Sequence, residues 1–268
     1  MTGRETGSEA ITHAIEAARA AGRPALAAFL TAGRPRRDGF AELARAIAAE
    51  AEIVELGVPF SDPMADGLTI QESSRAALEA GVTLSWILDL ARELRGSAPL
   101  VLMSYLNPLL AFGIERLAAR AAEAGVAGLI VPDLPLEESA PLREVLDEAG
   151  IALVQLVTPV TPPDRLARLC RVSRGFVYAV TTTGTTGGSV GDPEAMLDYL
   201  ARVRAASAVP VLAGFGIRTA GQLRAVAGRV DGAIVGSALV ELLERGEDPV
   251  AFLRRLRGGG PDPKEAPS

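Results

Sequence analysis

The chain has 268 residues, 49% of them hydrophobic and 22% charged, a composition ordinary for a globular protein with a sizeable core. Its formal net charge of −6 argues against a nucleic-acid or anionic-membrane partner. No stretch approaches the roughly 20 apolar residues of a membrane span, and residues 1–22 have no apolar run of signal-peptide length. These features predict a cytoplasmic enzyme or binding protein.

Three residue types that often carry catalysis occur only once each, as Cys170, His13 and Lys264. A single cysteine permits no internal disulfide and no cysteine-based zinc site. Lys264 lies in a terminal Gly/Pro-rich segment, which disfavours Schiff-base and pyridoxal-phosphate chemistry. One histidine, on the first predicted helix, supports neither a histidine-ligated metal nor a Ser–His–Asp triad. Acid–base chemistry is therefore expected to rest on Asp, Glu and Tyr.

Short apolar runs alternate with amphipathic segments along the chain. Eight runs are predicted strands, at 26–31, 52–56, 100–104, 128–131, 151–157, 176–180, 209–213 and 232–235. A helix is predicted before the first strand, at 8–21. Further helices are predicted at 40–51, 83–95, 114–124, 136–149, 163–172, 193–206, 219–228, 237–245 and 249–257.

The strands are apolar nearly throughout, which is typical of a parallel sheet covered by helices. Eight βα units in about 250 residues predict a closed (β/α)₈ barrel, or TIM barrel, with the extra N-terminal helix plugging one end. A doubly wound open sheet is the alternative, but no GxGxxG follows the first strand. We expect a single domain over residues 1–257 and a disordered tail over 258–268.

Carboxylates cluster in the stretch 52–71, EIVELGVPFSDPMADGLTIQ. Glu55 is set into the second strand, and Asp62 and Asp66 follow in its loop. A charge on a buried strand is costly unless it is paired or used, and barrels keep their catalytic groups at the strand ends. The strand ends also carry Phe29, Thr31, Tyr105, Asn107 and Asp133, with Tyr178 inside strand six.

Glycine-rich turns predict a phosphate site that needs no lysine. Turns at 214–217 and 236–237 each lead from a strand into a helix, whose N-terminal N–H groups and dipole favour an anion. The loops after strands seven and eight are the common phosphate site of such barrels. The turn at 184–188 closes a third side in this interpretation, although each glycine could serve only its own tight turn.

Five segments together resemble the tryptophan synthase α chain family: ELGVPFSDPMADG (55–67), NPLLAFG (107–113), VPDLPLEES (131–139), AGFGI (213–217) and VGSA (235–238). The resemblance implies retro-aldol cleavage of indole-3-glycerol phosphate into indole and glyceraldehyde 3-phosphate, without a cofactor. It also implies assembly with a β subunit into an α2β2 complex for tryptophan biosynthesis.

The resemblance assigns roles by position. Glu55 matches the general acid–base, Asp66 the carboxylate that accepts the indole N–H, and Tyr178 the tyrosine beside the reacting chain. The substrate-binding positions implied are Phe29, Thr31, Tyr105, Leu129, Gly187, Gly216, Gly236 and Ser237. The positions implied for the contact with the β subunit are Pro59, Asp62, Asn107 and Asp133.

The chain departs from the family in the loop after strand six, TTTGTTGGSVGDP, where Thr181 replaces the usual serine and Thr185 the usual valine. Leu68 stands where proline is usual, and Arg34 replaces a common acid. We expect these changes to affect closure of that loop and dependence on the partner more than the reaction. A stand-alone lyase releasing indole and a catalytically weak allosteric barrel therefore remain alternatives, with an unrelated phosphosugar isomerase less favoured.

Overall fold

The structure is a computed structural model that describes residues 5–181, 193–214 and 216–258. Eight parallel strands close into a barrel in the order of the chain. They are β1 Ala25–Thr31, β2 Ile53–Gly57, β3 Leu100–Met103, β4 Val126–Ile130, β5 Ala152–Val157, β6 Val177–Val180, β7 Val211–Gly214 and β8 Gly232–Val235. All eight predicted strands are confirmed, and the closure of β1 onto β8 excludes the open sheet.

The described residues form α1 Gly7–Ala20, α2 Phe40–Ala48, α3 Leu68–Glu79, α4 Leu84–Glu93, α5 Leu106–Phe112, α6 Ile114–Ala124, α7 Ala140–Glu148, α8 Pro163–Val172, α9 Pro193–Ala206, α10 Ala220–Ala227, α11 Ser237–Glu244 and α12 Pro249–Leu256. A 3-10 turn, Leu136–Glu138, precedes α7. No helix within these described ranges is long and apolar enough to cross a membrane. The predicted tail lies almost wholly outside the described residues, so its disorder stays a prediction.

Helix α1 closes the N-terminal end of the barrel, as expected. Ile11 and Ile15 are fully buried and belong to the cluster that fills the barrel interior. Thr12 Oγ1 donates to the Gly175 carbonyl at 3.0 Å, and the Gly175 N–H donates to Ser8 Oγ at 2.9 Å. Apolar side chains therefore seal this end of the barrel.

Alternation along each strand sorts the side chains into two layers. On β2, Ile53 belongs to the interior cluster, while Val54 and Leu56 pack against the surrounding helices. Glu55 therefore points inward, two residues after Ile53, and it is in register with Phe29 of β1 and Val101 of β3. The alternation of side chains along β2 therefore places the carboxylate of Glu55 inside the barrel.

Two helices were not predicted, α3 and α5. The buried face of α3 consists of Ile70, Ser73, Ser74 and Ala77, so it lacks the apolar stripe by which a helix is recognised. Helix α5 has 7 residues, of which only Leu109 is buried. Both helices follow strand ends and support loops at the open end of the barrel.

Candidate active site

A cavity opens at the carboxyl ends of the strands, with about 480 Å³ of empty space including its solvent-filled mouth. Its lining brings together all three residues predicted to be catalytic, Glu55, Asp66 and Tyr178. The remaining lining residues are Phe29, Ile70, Met103, Gly216, Ile217, Ile234, Gly236 and Ser237. Segments that are distant in sequence therefore meet at one concave site with acids, apolar walls and glycine turns.

Glycines make room for the aromatic rings at this end of the barrel. A Cβ atom on Gly214 would lie 2.2 Å from Cε1 of Tyr178 and 2.5 Å from its hydroxyl oxygen. A Cβ atom on Gly57 would lie 2.5 Å from Cζ of Phe29. Each ring thus occupies the space that a side chain on the neighbouring strand would fill, which fixes its position at the cavity wall.

Glu55 is the most unusual group of the site. It is 1% exposed, and neither carboxyl oxygen has a hydrogen-bond partner among the residues that the structure describes. Burial, and secondarily the negative charge of Asp66, raises the pKa of Glu55 to about 8. Glu55 is therefore mostly protonated at neutral pH, and backbone amides do not satisfy it as they would a structural carboxylate.

Asp66 is held by the end of β3 and the beginning of α3. The Tyr105 hydroxyl donates to Asp66 Oδ2 at 3.1 Å and accepts the Ala65 N–H at 2.9 Å. Gln71 Nε2 donates to the Asp66 carbonyl at 2.7 Å. Burial raises the pKa of Asp66 to about 6, and the Tyr105 hydrogen bond opposes that rise. Asp66 is therefore mostly ionised at neutral pH, unlike Glu55.

A second compartment of about 340 Å³ adjoins the first. Phe29, Asp66, Ile70 and Met103 line both compartments. Thr31 and Tyr105 line the second one, and the buried Thr31 hydroxyl has no hydrogen-bond partner within the described ranges. Three of the residues predicted to bind substrate, Phe29, Thr31 and Tyr105, therefore lie on the connected cavity walls.

The predicted phosphate turns also reach the cavity. Gly216 has a φ of +81°, which favours glycine, and Gly236 directly precedes α11, whose first residue is Ser237. Amides at such a helix start have no intrahelical acceptor and carry the positive end of the helix dipole. Gly187 lies outside the described residues, as does the rest of the strand-six loop from 182 to 192.

Leu129 is not a lining residue of either compartment. It belongs to the buried layer between the barrel and the helices, whereas its neighbour Ile130 belongs to the interior cluster. Adjacent residues of a strand point to opposite faces, so an error of one residue in matching the family exchanges an inward side chain for an outward one. We therefore leave Leu129 out of the site.

The four residues predicted for a partner surface divide into two groups. Asp62, Asn107 and Asp133 are exposed at the open end of the barrel. Asp133 also accepts the Leu106 N–H at 2.9 Å and so caps the start of α5. Pro59 is buried in the wall of the second compartment, where it offers a partner no surface.

Sequence reasoning missed the apolar lining residues Ile70, Met103, Ile217 and Ile234. Ile234 and Met103 were recoverable from strand alternation, because they are the last inward positions of their strands. Ile70 was not, since α3 was not recognised. Within the described ranges, no three His, Cys, Asp or Glu residues form a group that could hold a metal ion.

Comparison with known proteins agrees with this geometry. Residues 15–257 match the family model described as tryptophan synthase alpha chain. The tryptophan synthase alpha chain of Nitratidesulfovibrio vulgaris (strain DP4) is 48% identical over 243 residues, covering 90% of this chain and 95% of that protein. The protein of that name from Geobacter sulfurreducens is 46% identical and covers 88% and 92%. This chain belongs to the tryptophan synthase α chain family.

Solved structures support the same assignment. A structure of Mycobacterium tuberculosis tryptophan synthase superposes with a TM-score of 0.85 at 36% identity, covering 93% of this chain and 97% of that one. Tryptophan synthase subunit alpha from Legionella pneumophila gives 0.83 at 30% identity, covering 93% and 97%. This member of the tryptophan synthase α chain family is therefore a lyase with the α-subunit role in tryptophan biosynthesis.

Proposed function

We propose that this α chain cleaves indole-3-glycerol phosphate by a retro-aldol step into indole and glyceraldehyde 3-phosphate. The observation that carries the proposal is Glu55, a buried carboxyl that has no hydrogen-bond partner in the described part of the chain and shares a cavity with the ionised Asp66. Two carboxyls whose environments separate their pKa values can act as a proton donor and a fixed negative charge.

The reaction needs a proton at indole C3. Glu55, protonated at neutral pH, donates it, and the ring becomes an indoleninium cation. Asp66 accepts the indole N–H and stabilises the positive charge that develops there. The bond between C3 and the glycerol chain then breaks as Glu55 recovers a proton from the adjacent hydroxyl, so an aldehyde forms and the acid is regenerated. Tyr178, which lines the same cavity as Glu55, is proposed to orient the reacting chain.

The apolar walls and the glycine turns are proposed to bind the two ends of the substrate. Phe29 and Tyr105 offer aromatic surface for the indole ring, with the Thr31 hydroxyl beside them. Gly216, Gly236 and Ser237 present backbone amides to the phosphate, and Gly187 is proposed to join them. These contacts hold the bond to be broken near Glu55.

The partner is proposed to be a tryptophan synthase β subunit in an α2β2 complex. Large apolar side chains are exposed in the segments that follow β2, β3 and β5, namely Met64, Leu68, Leu110 and Val160. Exposed apolar groups rimmed by polar residues are typical of protein interfaces. Asp62, Asn107 and Asp133 lie in or beside these segments and are proposed to contact the partner.

The proposal is tested by incubating the purified chain with indole-3-glycerol phosphate and measuring indole and glyceraldehyde 3-phosphate. We expect equimolar products, formed slowly by the chain alone and faster with the β subunit. Brisk release without any stimulation by the β subunit would instead support a stand-alone lyase. Absence of both products under either condition would overturn the proposed reaction.

The pH profile of kcat/KM is expected to be bell-shaped. Activity should fall below pH about 6, because protonated Asp66 no longer stabilises a cation, and above pH about 8, because ionised Glu55 has no proton to give. Each limb should approach about tenfold per pH unit. Measuring the Asp66→Asn variant is the control, since it should lose the acidic limb along with most of its activity. A flat profile between pH 5 and 9 would contradict the assignment.

A further inference from the structure

One carboxylate outside the cavity joins the three segments that hold the proposed substrate. Glu241 of α11 accepts a hydrogen bond from Thr69 Oγ1 at 3.2 Å. The same carboxylate accepts hydrogen bonds from Arg218 Nη1 at 2.7 Å and from Arg218 Nη2 at 2.8 Å, which together form a bidentate ion pair. We call this arrangement of Thr69, Arg218 and Glu241 the Glu241 bridge.

Each member of the bridge is close in sequence to a group that lines the cavity. Thr69 follows Asp66 by three residues, in the first turn of α3. Arg218 follows Gly216 by two residues, and Glu241 lies one helical turn after Ser237. The bridge therefore connects the loop of the nitrogen-binding carboxylate to both glycine turns of the phosphate site.

Glu241 is not itself a lining residue of the cavity, so it cannot act on the substrate directly. The side chains of Glu241 and Arg218 are 24% and 49% exposed. An ion pair this exposed adds little to global stability, whereas its bidentate geometry fixes orientation. The Arg218 backbone is held separately, because its N–H donates to Gln222 Oε1 at 2.8 Å.

We propose that Glu241 is a positioning residue that holds the Asp66 loop and the phosphate turn at a fixed separation. The inference rests on the proposed function, since it assigns the two ends of the substrate to these two segments. Binding energy at the phosphate end can assist the chemistry at the indole end only if the distance between them is maintained.

Kinetics of variants in the full chain separate the two arms of the bridge. Thr69→Val removes the contact to the Asp66 loop and should lower kcat about threefold to tenfold, with KM changed by less than about twofold. Arg218→Ala removes the contact to the phosphate turn and should raise KM by a similar factor, with kcat nearly unchanged. Glu241→Ala should produce both effects.

The matched control is Glu137→Ala. Glu137 forms a bidentate pair with Arg165, at 2.8 and 3.0 Å, between exposed residues at a distance from the phosphate turns. We expect similar small changes in Tm for Glu137→Ala and Glu241→Ala, but a kinetic change only for Glu241→Ala. Glu241→Gln is the second variant, because it keeps an acceptor for Thr69 while weakening the pair, and should therefore raise KM alone.

Two results would overturn the inference. Glu241→Ala could match the wild type in both constants, which would make the bridge purely structural. Alternatively, Arg218→Ala could raise KM while Glu241→Ala does not, which would make Arg218 a direct phosphate ligand.

Amide hydrogen exchange without substrate keeps this test independent of the proposed reaction. Glu241→Ala should accelerate exchange in residues 64–72 and 216–220, and Glu137→Ala should not. Unchanged exchange in both segments would count against the bridge. Failure of the wild type to turn over indole-3-glycerol phosphate would instead count against the proposed function alone.

Discussion

Glu55→Gln is expected to lower kcat by about 10³-fold or more, because an amide can neither protonate indole C3 nor recover a proton from the glycerol hydroxyl. The substitution nearly preserves the size of the side chain, so substrate affinity should change little. The measurement is indole release by the chain alone and by its complex with the β subunit. Undiminished flux through the complex would favour the alternative of a catalytically weak allosteric barrel.

The same substitution is expected to stabilise the protein at high pH. The pKa of Glu55 is about 8 in the folded protein against an ordinary value of 4.5, so folding favours the protonated form. Its protonated state therefore supports stability fully below pH 4.5, and this support is lost as pH rises from 4.5 through 8. Each pKa unit corresponds to about 1.4 kcal/mol, so Glu55→Gln should raise Tm by about 5 °C or more at pH 9.

Glu55→Asp is the matched control. It retains a titratable carboxyl at the same position, so the Tm of the variant should still fall as pH rises. Its kcat should drop, because the Asp side chain is one methylene group shorter and its carboxyl lies farther from the substrate. A Tm difference between wild type and Glu55→Gln that is constant from pH 5 to 9 would show that Glu55 is not protonated by burial.

Gly214→Ala is expected to reduce both stability and activity. The new methyl group would overlap the ring of Tyr178, which is 5% exposed. Overpacking of this kind costs about 1–3 kcal/mol, which corresponds to a fall in Tm of about 2–10 °C. Because the displaced ring borders Glu55, kcat should fall as well. Thermal unfolding and initial rates measure the two effects.

Gly221→Ala on α10 is the control for that substitution. Its added Cβ atom would meet only Thr219 Oγ1, at 3.8 Å, so it should leave kcat unchanged and raise stability slightly through helix propensity. Combining Gly214→Ala with Tyr178→Leu should recover part of the lost Tm, because the clash partner is gone. Strictly additive losses in the double variant would show that Tyr178 is not the group displaced.

Much of the fold could be read from the sequence because its signals are local. The eight strands were recognised as apolar runs, and their number, together with the intervening helices, predicts closure. The failure at α3 has a physical cause: Ser73 and Ser74 lie on its buried face, and Ser74 Oγ accepts the Phe60 N–H at 2.8 Å. A helix buried through polar contacts to a loop has no hydrophobic period to detect.

The amino-acid composition and the motifs establish which groups are available for chemistry. Because the chain has a single histidine and a single lysine, acid–base catalysis is expected to rest on carboxylates. The ELGVPFSDPMADG segment identifies Glu55 and Asp66 as those carboxylates. Their protonation states depend on the folded arrangement, because a pKa depends on burial and on neighbouring charges that distant segments supply. The folded arrangement also determines that Leu129 faces the outer layer, that Pro59 is buried, and that Glu241 joins three loops. These outcomes depend on side-chain direction and on contacts between residues up to 172 positions apart, which local patterns do not encode.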